Sequence, residues 1–342
     1  MKKIIVTGYN GFIGSLLVSL LKEKGYKVVG IDTGFYGSEC TLFNFKHDII
    51  EIKKDIRNIK EEDLEGAYAV CHLAALSNDP VGELAPKITY DINYRASLRL
   101  AKLSEKVGVE KFIYSSSCSM YGIAGSEYLA EEVEFSPITA YAKSKVMSEK
   151  DIMPLTDENF SVTFLRNATA YGISPKLRLD LVVNNLIGWA MTTGQIKILS
   201  DGTPWRPLIH AEDIARAFIA VIEAPNDWVS GQAFNVGITS ENYQIKDIAY
   251  LIKDAMGKCD VVITGEHEED ARTYKVDFSK IFNTLPNFRP KWRLKSGIEQ
   301  ICQYYDKYSL NSEKFNGRYF VRLRQLKYLI ENNKIDENLF WI

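Results

Sequence analysis

The chain has 342 residues, 46% hydrophobic and 25% charged, with a net charge of -2. That is room for two domains or one large α/β domain with an appended lobe, and the balanced charge argues against nucleic acid or a membrane surface and for a small partner. Five cysteines, Cys40, Cys71, Cys118, Cys259 and Cys302, are odd in number and unclustered, which fits reduced thiols in a cytoplasmic compartment and no zinc site. Met1-Lys2-Lys3 before an apolar stretch imitates a signal peptide, but Gly8, Gly11 and Gly14 interrupt it, and the longest apolar run, Phe12 to Leu21, is too short to span a bilayer.

Ile4-Ile5-Val6 is a short β-branched run, followed directly by Gly8-Tyr9-Asn10-Gly11-Phe12-Ile13-Gly14. Phe12, Ile13, Leu16, Leu17, Leu20 and Leu21 then recur at helical spacing, Gly25 ends the helix, and Val28-Val29-Gly30-Ile31-Asp32 returns as a strand. The result is a βαβ unit with an acid 24 residues after its first glycine. Glycines in such a turn let the backbone approach a pyrophosphate, which rests on the helix N-terminus and its dipole. The turn residues Gly8, Asn10, Gly11, Phe12, Ile13 and Gly14 are therefore expected around a dinucleotide, and Asp32 at its adenosine ribose. A carboxylate there repels a 2′-phosphate, so NAD is favoured over NADP. The competing reading is a tight βα turn that binds nothing.

Ile50 and Ile52 mark a short strand before Asp55-Ile56-Arg57, where Asp55 and Ile56 are either an adenine contact or part of a solvated loop. Ala69 to Ala75 reads as the fourth strand, its end at Leu73, Ala74 and Ala75 small enough to leave a cofactor room. His72 within it is read as a packed or capping histidine. Ser77, Asn78 and Asp79 form a polar loop before Pro80, Tyr90 to Val107 is an amphipathic helix carrying Asn93, and Lys111 to Tyr114 is the fifth strand. Ser115-Ser116-Ser117-Cys118-Ser119 follows, placing Ser117 at the carboxyl end of a strand, where open α/β sheets bind ligands. After the Ser136 to Ala140 loop, Tyr141 and Lys145 are four apart and share one helix face, so a fixed ammonium stands beside a phenol and favours its phenolate.

Val162 to Arg166 is the sixth strand, and beyond it the alternation of strand and helix becomes irregular. Tyr171 to Pro175 is turn-rich, Leu179 to Met191 reads as helix, Gly202 to Pro207 as a second turn cluster, Ile209 to Asp213 as the start of another helix, and Ala233 to Val236 as a strand. The expected fold is α/β: a Rossmann-type doubly wound parallel sheet with a smaller, interleaved α/β substrate lobe. The division is a cofactor domain over 1–166 with later returns near 208–236, a lobe from 167–207 and 237–315, and a tail over 316–342. That tail, aromatic-rich and mildly basic, is either a docking helix or an oligomer contact.

Taken in order, these residues resemble the extended short-chain dehydrogenase/reductase family, in its NAD-dependent nucleotide-sugar epimerase/dehydratase branch. The resemblance covers roughly Lys2 to Trp292 and rests on Gly8/Gly11/Gly14, Asp32, Leu73-Ala74-Ala75, Asn93, Ser117 four residues before Tyr121, and Tyr141 with Lys145. It implies NAD as cofactor, with Ser115 and Asn93 among the cofactor contacts. It also implies a nucleotide-diphosphate sugar as substrate, with Ser77, Ser117, Cys118, Ser119 and Thr169 near the sugar. Arg206 and Arg272 of Asp270-Ala271-Arg272 correspond to the branch's diphosphate arginines, whose guanidinium forks match phosphate oxygens. Asn185 matches an asparagine near the diphosphate or sugar, with helix capping as its alternative. Relatives pair through the helices at Tyr90 to Val107 and Tyr141 to Asp151, which implies a homodimer.

An ordinary tyrosine, with a pKa of about 10, is a poor base at neutral pH. Lys145 and the cationic nicotinamide would lower it, so that Tyr141 takes a proton from a sugar hydroxyl, C4 being favoured, while Ser117 steadies the oxygen. The resulting 4-keto sugar has several fates. The family's 4,6-dehydratases carry Asp-Glu directly after the serine or threonine, where this chain has Cys118 and Ser119, so water loss is disfavoured. Cys118 is either an acid/base for C3 or C5 epimerisation or a packing thiol. A 4-epimerase is the leading expectation, followed by a C4 dehydrogenase that releases the keto sugar. A non-enzymatic NAD-binding scaffold conflicts with the retained Ser117, Tyr141 and Lys145, and a reductase of non-sugar substrates with Arg206 and Arg272. Cys118-Ser119, the Ile173 to Asn185 run, and Thr169 where many epimerases have asparagine look closer to a subgroup acting on bacterial surface sugars.

Overall fold

The computed structural model describes residues 1–45, 48–77, 85–265 and 272–342. The expected loop residues Asn78, Asp79 and Pro80, and Asp270 and Ala271 beside Arg272, lie outside them. Seven strands form one parallel sheet: β1 (Lys3–Thr7), β2 (Lys27–Asp32), β3 (Ile50–Lys53), β4 (Ala69–His72), β5 (Lys111–Ser117), β7 (Ser161–Asn167) and β11 (Gln232–Val236), in the order β11-β7-β5-β4-β1-β2-β3. The order reverses at β1, flanked by β2 and β4, which opens a crevice at the carboxyl ends of these strands. This is a Rossmann-type α/β fold.

The period-two alternation of the strands divides the core. Ile4, Val6, Cys71, Ile113 and Leu165 face one side, with α1 (Phe12–Glu23) and a later helix over Ala211–Glu223. Ile5, Val70, Phe112, Tyr114 and Phe164 face the other. That second face is covered by α2 and α3 (Ala140–Ile152). Helix α2 runs on through Pro86–Tyr90, a π-helical turn Asp91–Ala96 and Ser97–Lys106.

The remaining strands make three small sheets: β6 (Ile123–Leu129) with β14 (Thr273–Val276), β8 (Thr169–Tyr171) with β10 (Trp205–His210) and β12 (Asn242–Gln244), and β9 (Gln195–Ile198) with β13 (Asp260–Ile263). A third core joins the β8–β10 region to α4 (Val182–Thr193), while α5 (Ala211–Glu223) carries the chain back to β11 of the main sheet. With α6 (Ile245–Met256) and α7 (Leu294–Lys307), these elements stand over the carboxyl ends of the large sheet.

Several boundaries differ from the sequence reading. β5 continues to Ser117 because β7 offers partners as far as Asn167. The expected turn at Gly202 to Pro207 becomes strand from Trp205 onward, since β8 and β12 both pair with it. Helix α4 starts at Val182, not Leu179, because Leu177 and Leu179 are drawn into the lobe core ahead of it. The tail docks on its own chain. Phe315 and Phe320 enter the lobe core, while Leu326 and Leu329 of α8 (Arg322–Glu331) enter the second core of the large sheet, each buried leucine contributing roughly 1.5–3 kcal/mol. Among the described residues no helix is long and apolar enough to cross a membrane.

Candidate active site

A cleft of about 840 Å³ lies where the strand order reverses, floored by the Gly8–Gly14 turn and roofed by the lobe. Gly8 has φ +72, and a Cβ there would lie 2.8 Å from the Ala74 nitrogen; one on Gly14 would lie 2.1 Å from the Gly8 carbonyl oxygen. The turn can therefore close this tightly against the end of β4 and the start of α1 only with glycine at these two positions. Gly11 caps α1 without a side-chain bond, and no acidic residue occupies the first turn, so the helix N-terminus is open to an anion. Asn10, Phe12 and Ile13 line the cleft beside the glycines.

Asp32, at the end of β2, accepts the Gly34 N–H at 2.8 Å; burial raises its carboxyl pKa, and bonds from the Gly34 and Asn10 backbone oppose the rise. Asp55 and Ile56 reach the same wall. Asp55 is already engaged by Arg57, through the backbone at 2.8 Å and the guanidinium at 3.0 and 2.8 Å, so it shapes the rim as an ion-paired cap. Leu73, Ala74, Ala75 and Ser77 continue the lining. His72 is packed, as read: buried between the Thr7 hydroxyl at 2.6 Å and the Ser97 hydroxyl at 2.7 Å, with burial pulling its pKa down to about 3.

Ser115, Ser117, Tyr141 and Lys145 converge at the carboxyl end of β5. Thr139 caps α3 by accepting the Ala142 N–H at 3.1 Å, which fixes the helix that carries Tyr141 and Lys145. The Lys145 Nζ donates to the Ser115 carbonyl at 2.7 Å, 5.6 Å from the Tyr141 ring centre. Burial pulls the Lys145 pKa down to about 7, against the raising pull of Glu149. The Ser117 oxygen accepts the Ser119 N–H at 3.1 Å and donates to the Ser119 hydroxyl at 2.9 Å. Behind this corner Glu149, one turn beyond Lys145, pairs with Arg166 of β7 at 2.7 Å, both side chains buried, and accepts the Ser116 hydroxyl at 2.5 Å.

Three expected site residues do not reach the cleft. Cys118 is 0% exposed, with its thiol 3.1 Å from the Arg166 carbonyl and its pKa raised well above the usual range by burial; it is a packing thiol, and the acid/base expectation is corrected. Asn185, inside the first turn of α4, donates to the Leu179 carbonyl at 2.9 Å and so ties the incoming chain to the helix, a packing role and not a ligand contact. Asn93 is buried in the π turn. Its side chain clamps both backbone groups of Leu76, at 2.8 and 3.0 Å, and its carbonyl, freed from the regular helical ladder, accepts the Ser97, Ser148 and Tyr114 hydroxyls. It holds the cleft wall from behind.

On the lobe side Thr169, Arg206 and Arg272 line the cleft, with Arg206 bonded to the Arg272 carbonyl. Sequence reasoning missed Asn167, Arg178 and Arg322. Asn167 lines the cleft and donates to Ser116 and Ser115, while its Oδ1 is buried with no partner among the described residues. Arg178 forms a fork on Asp180 at 3.0 and 2.9 Å and reaches the Ser77 hydroxyl at 3.0 Å. Its spacing of two from Asp180, directly after a proline turn, was a usable signal; for Arg322 in the tail there was none. The glycine cradle, the Asp32 carboxylate and the orphaned Asn167 acceptor fit a dinucleotide, and the paired arginines fit a second, phosphate-bearing ligand.

Comparison with known proteins agrees. The model of the "NAD dependent epimerase/dehydratase family" matches residues 4–237. The chain is 26% identical to the UDP-glucose 4-epimerase of Bacillus subtilis (strain 168), covering 92% of this chain and 98% of that protein. It superposes on the UDP-glucose 4-epimerase of Thermotoga maritima, solved with UDP-glucose, with a TM-score of 0.79 at 27% identity, over 89% of this chain and 99% of that one. The UDP-glucuronic acid 4-epimerase of Bacillus cereus, solved with UDP-glucuronic acid and NAD, gives a TM-score of 0.76 at 28% identity, over 89% and 99%.

Proposed function

Because the chain belongs to the NAD-dependent epimerase/dehydratase family and is an NAD enzyme, we propose that it is a nucleotide-sugar 4-epimerase with a UDP-hexose as its preferred substrate. The observation that carries the reading is that Ser117, Tyr141 and Lys145 share one cleft with Arg206 and Arg272, so a proton-handling corner faces a diphosphate-sized cationic wall.

Gly8 to Gly14 and Asp32 would hold the cofactor. Bound NAD supplies an acceptor for the hydride at sugar C4 and, once reduced, the donor that returns it. Tyr141 takes the O4 proton as phenolate and gives it back after the hydride returns, and the Lys145 ammonium favours that phenolate. Ser117, its oxygen oriented by the Ser119 N–H, holds O4. Arg206 and Arg272 grip the diphosphate. Inversion requires the sugar to present its other face while that grip persists, and Ser119, Thr169 and Ala170 make a wall of small residues beside it. Water loss would need an acid and a base where Cys118 and Ser119 stand, and Cys118 is buried out of reach. A homodimer through α2 and α3 belongs to the same proposal and is checked by light scattering.

The test is incubation of purified protein with UDP-, GDP-, CDP- and dTDP-sugars, following product stereochemistry and cofactor reduction. The expected result is the 4-epimer of a UDP-hexose with no net NADH. Stoichiometric NADH with a released keto sugar, or loss of water, would overturn it.

A further inference from the structure

Arg322 opens α8 and is only 4% exposed. Its guanidinium lies over the Tyr36 ring, 4.0 Å from the centre, and its Nη2 donates to the Lys176 carbonyl at 3.0 Å. The Nη1 is buried and has no hydrogen-bond partner among the described residues, while the side chain lines the cleft and acts electrostatically on Asp32. A buried guanidinium nitrogen without an acceptor carries an unrecovered desolvation cost, and a ligand oxygen in the cleft would remove it.

The rest of the segment holds the same wall. Gln325 donates to the Phe35 carbonyl at 3.2 Å, Trp341 to the Thr33 carbonyl at 2.7 Å, and Arg57, from the Asp55 rim, to the Asn338 carbonyl at 2.9 Å. The loop that leaves the ribose-side acid and the rim beside it are thus both tied to residues 322–342.

We infer that Arg322 is a cofactor-binding residue that donates from Nη1 to a ribose or phosphate oxygen of the adenosine half of the dinucleotide, and that the C-terminal segment is a built part of that site. The inference rests on the cofactor reading above. It assigns Arg322 to the dinucleotide and not to the nucleotide sugar, because its guanidinium lies over Tyr36, four residues after Asp32, and the other charges near it, Arg178 and Asp180, are already forked on each other, whereas the sugar diphosphate is assigned to Arg206 and Arg272.

The test uses full-length protein freed of copurified nucleotide, with calorimetric titration of ADP-ribose and, separately, of UDP. Arg322→Met keeps the bulk and removes the donor; it should weaken ADP-ribose about 10- to 100-fold while leaving UDP within about twofold, with Arg322→Lys in between. ADP-ribose binding within about twofold of wild type in Arg322→Met, or an equal loss for both ligands, would overturn the assignment. If that variant does not fold, wild-type hydrogen exchange decides: ADP-ribose should slow exchange in residues 322–331 and UDP should not, and unchanged exchange there overturns the inference. Wild-type protein that binds UDP but neither NAD nor ADP-ribose would instead take down the cofactor reading itself.

Discussion

The two ends of the cleft are built in different ways. At the reacting end, β5, α3 and β7 are packed neighbours, and every charged group behind the surface is matched: Lys145 to the Ser115 carbonyl, Glu149 to Arg166 and to the Ser116 hydroxyl. At the other end, the proposed adenosine end, the loop after Asp32 meets the C-terminal segment, and the Gln325–Phe35 hydrogen bond spans a sequence separation of 290. One end is a packed corner whose buried charges are paired and whose orphan, the Asn167 Oδ1, is a neutral acceptor. The other is closed by distant chain and keeps an orphaned donor, as a binding wall does.

The largest effect is expected at the reacting end. Tyr141→Phe removes one hydroxyl from the lining and leaves the ring and Lys145 in place. Turnover should fall about 10³-fold while ADP-ribose affinity stays within about twofold of wild type. Steady-state kinetics paired with titration checks this, and near-normal turnover would remove Tyr141 as the base.

The matched charges behind that corner make the next prediction. Arg166 and Glu149 have side-chain exposures of 7% and 5%. Glu149→Ala leaves a buried guanidinium uncompensated, which should cost about 3–5 kcal/mol in urea unfolding, with Glu149→Gln losing less. A loss below about 1 kcal/mol would mean that the pair is not what stiffens the corner.

This contrast also explains what the sequence revealed. The βαβ unit, Asp32 and the Tyr141/Lys145 spacing are local patterns, and local patterns survive in one dimension; so did the packed state of His72. Cys118 and Asn185 misled because neighbourhood in sequence does not fix direction. Cys118 sits next to Ser117, but it opens a 3₁₀ turn that sends its thiol behind the sheet to Arg166. Asn185 lies beyond a helix start displaced to Val182 by the burial of Leu177 and Leu179. Arg322 could not be found by motif at all, because its meaning comes from Tyr36, Lys176 and Asp32, which only the fold brings to it.

Lys145 gives the corner a pH signature. Its pKa falls from 10.5 to about 7 through burial, so between about pH 7 and 10.5 the folded chain binds fewer protons here than the unfolded chain. Stability from this group therefore rises with pH across that window, and the penalty is complete below about pH 7. In cofactor-free protein, urea titrations should show a rise toward alkaline pH that is smaller in Lys145→Met by a few kcal/mol. Parallel pH profiles for the two proteins would show that Lys145 is solvated and charged throughout.

The smallest effect is expected at the adenosine end, and it tests whether the tail is a wall or decoration. Trp341 is 41% exposed, yet its indole donates to the Thr33 carbonyl, its ring lies 5.9 Å from Phe35, and the Lys53 ammonium sits 4.2 Å above it. Trp341→Ala loses the hydrogen bond, the aromatic contact and the Lys53 cation–π contact at a half-open site, worth about 2 kcal/mol together. Because those contacts hold the segment from Thr33 to Tyr36, ADP-ribose should weaken severalfold along with the small stability loss, while UDP binding and the Tyr141 chemistry stay unchanged. Trp228, 46% exposed on the short helix that precedes β11, is the matched control: its alanine variant should alter neither titration. If Trp341→Ala lowers stability but leaves ADP-ribose affinity at the control's level, the tail braces the fold without shaping the cofactor wall, and the difference between the two ends of the cleft narrows to Arg322 alone.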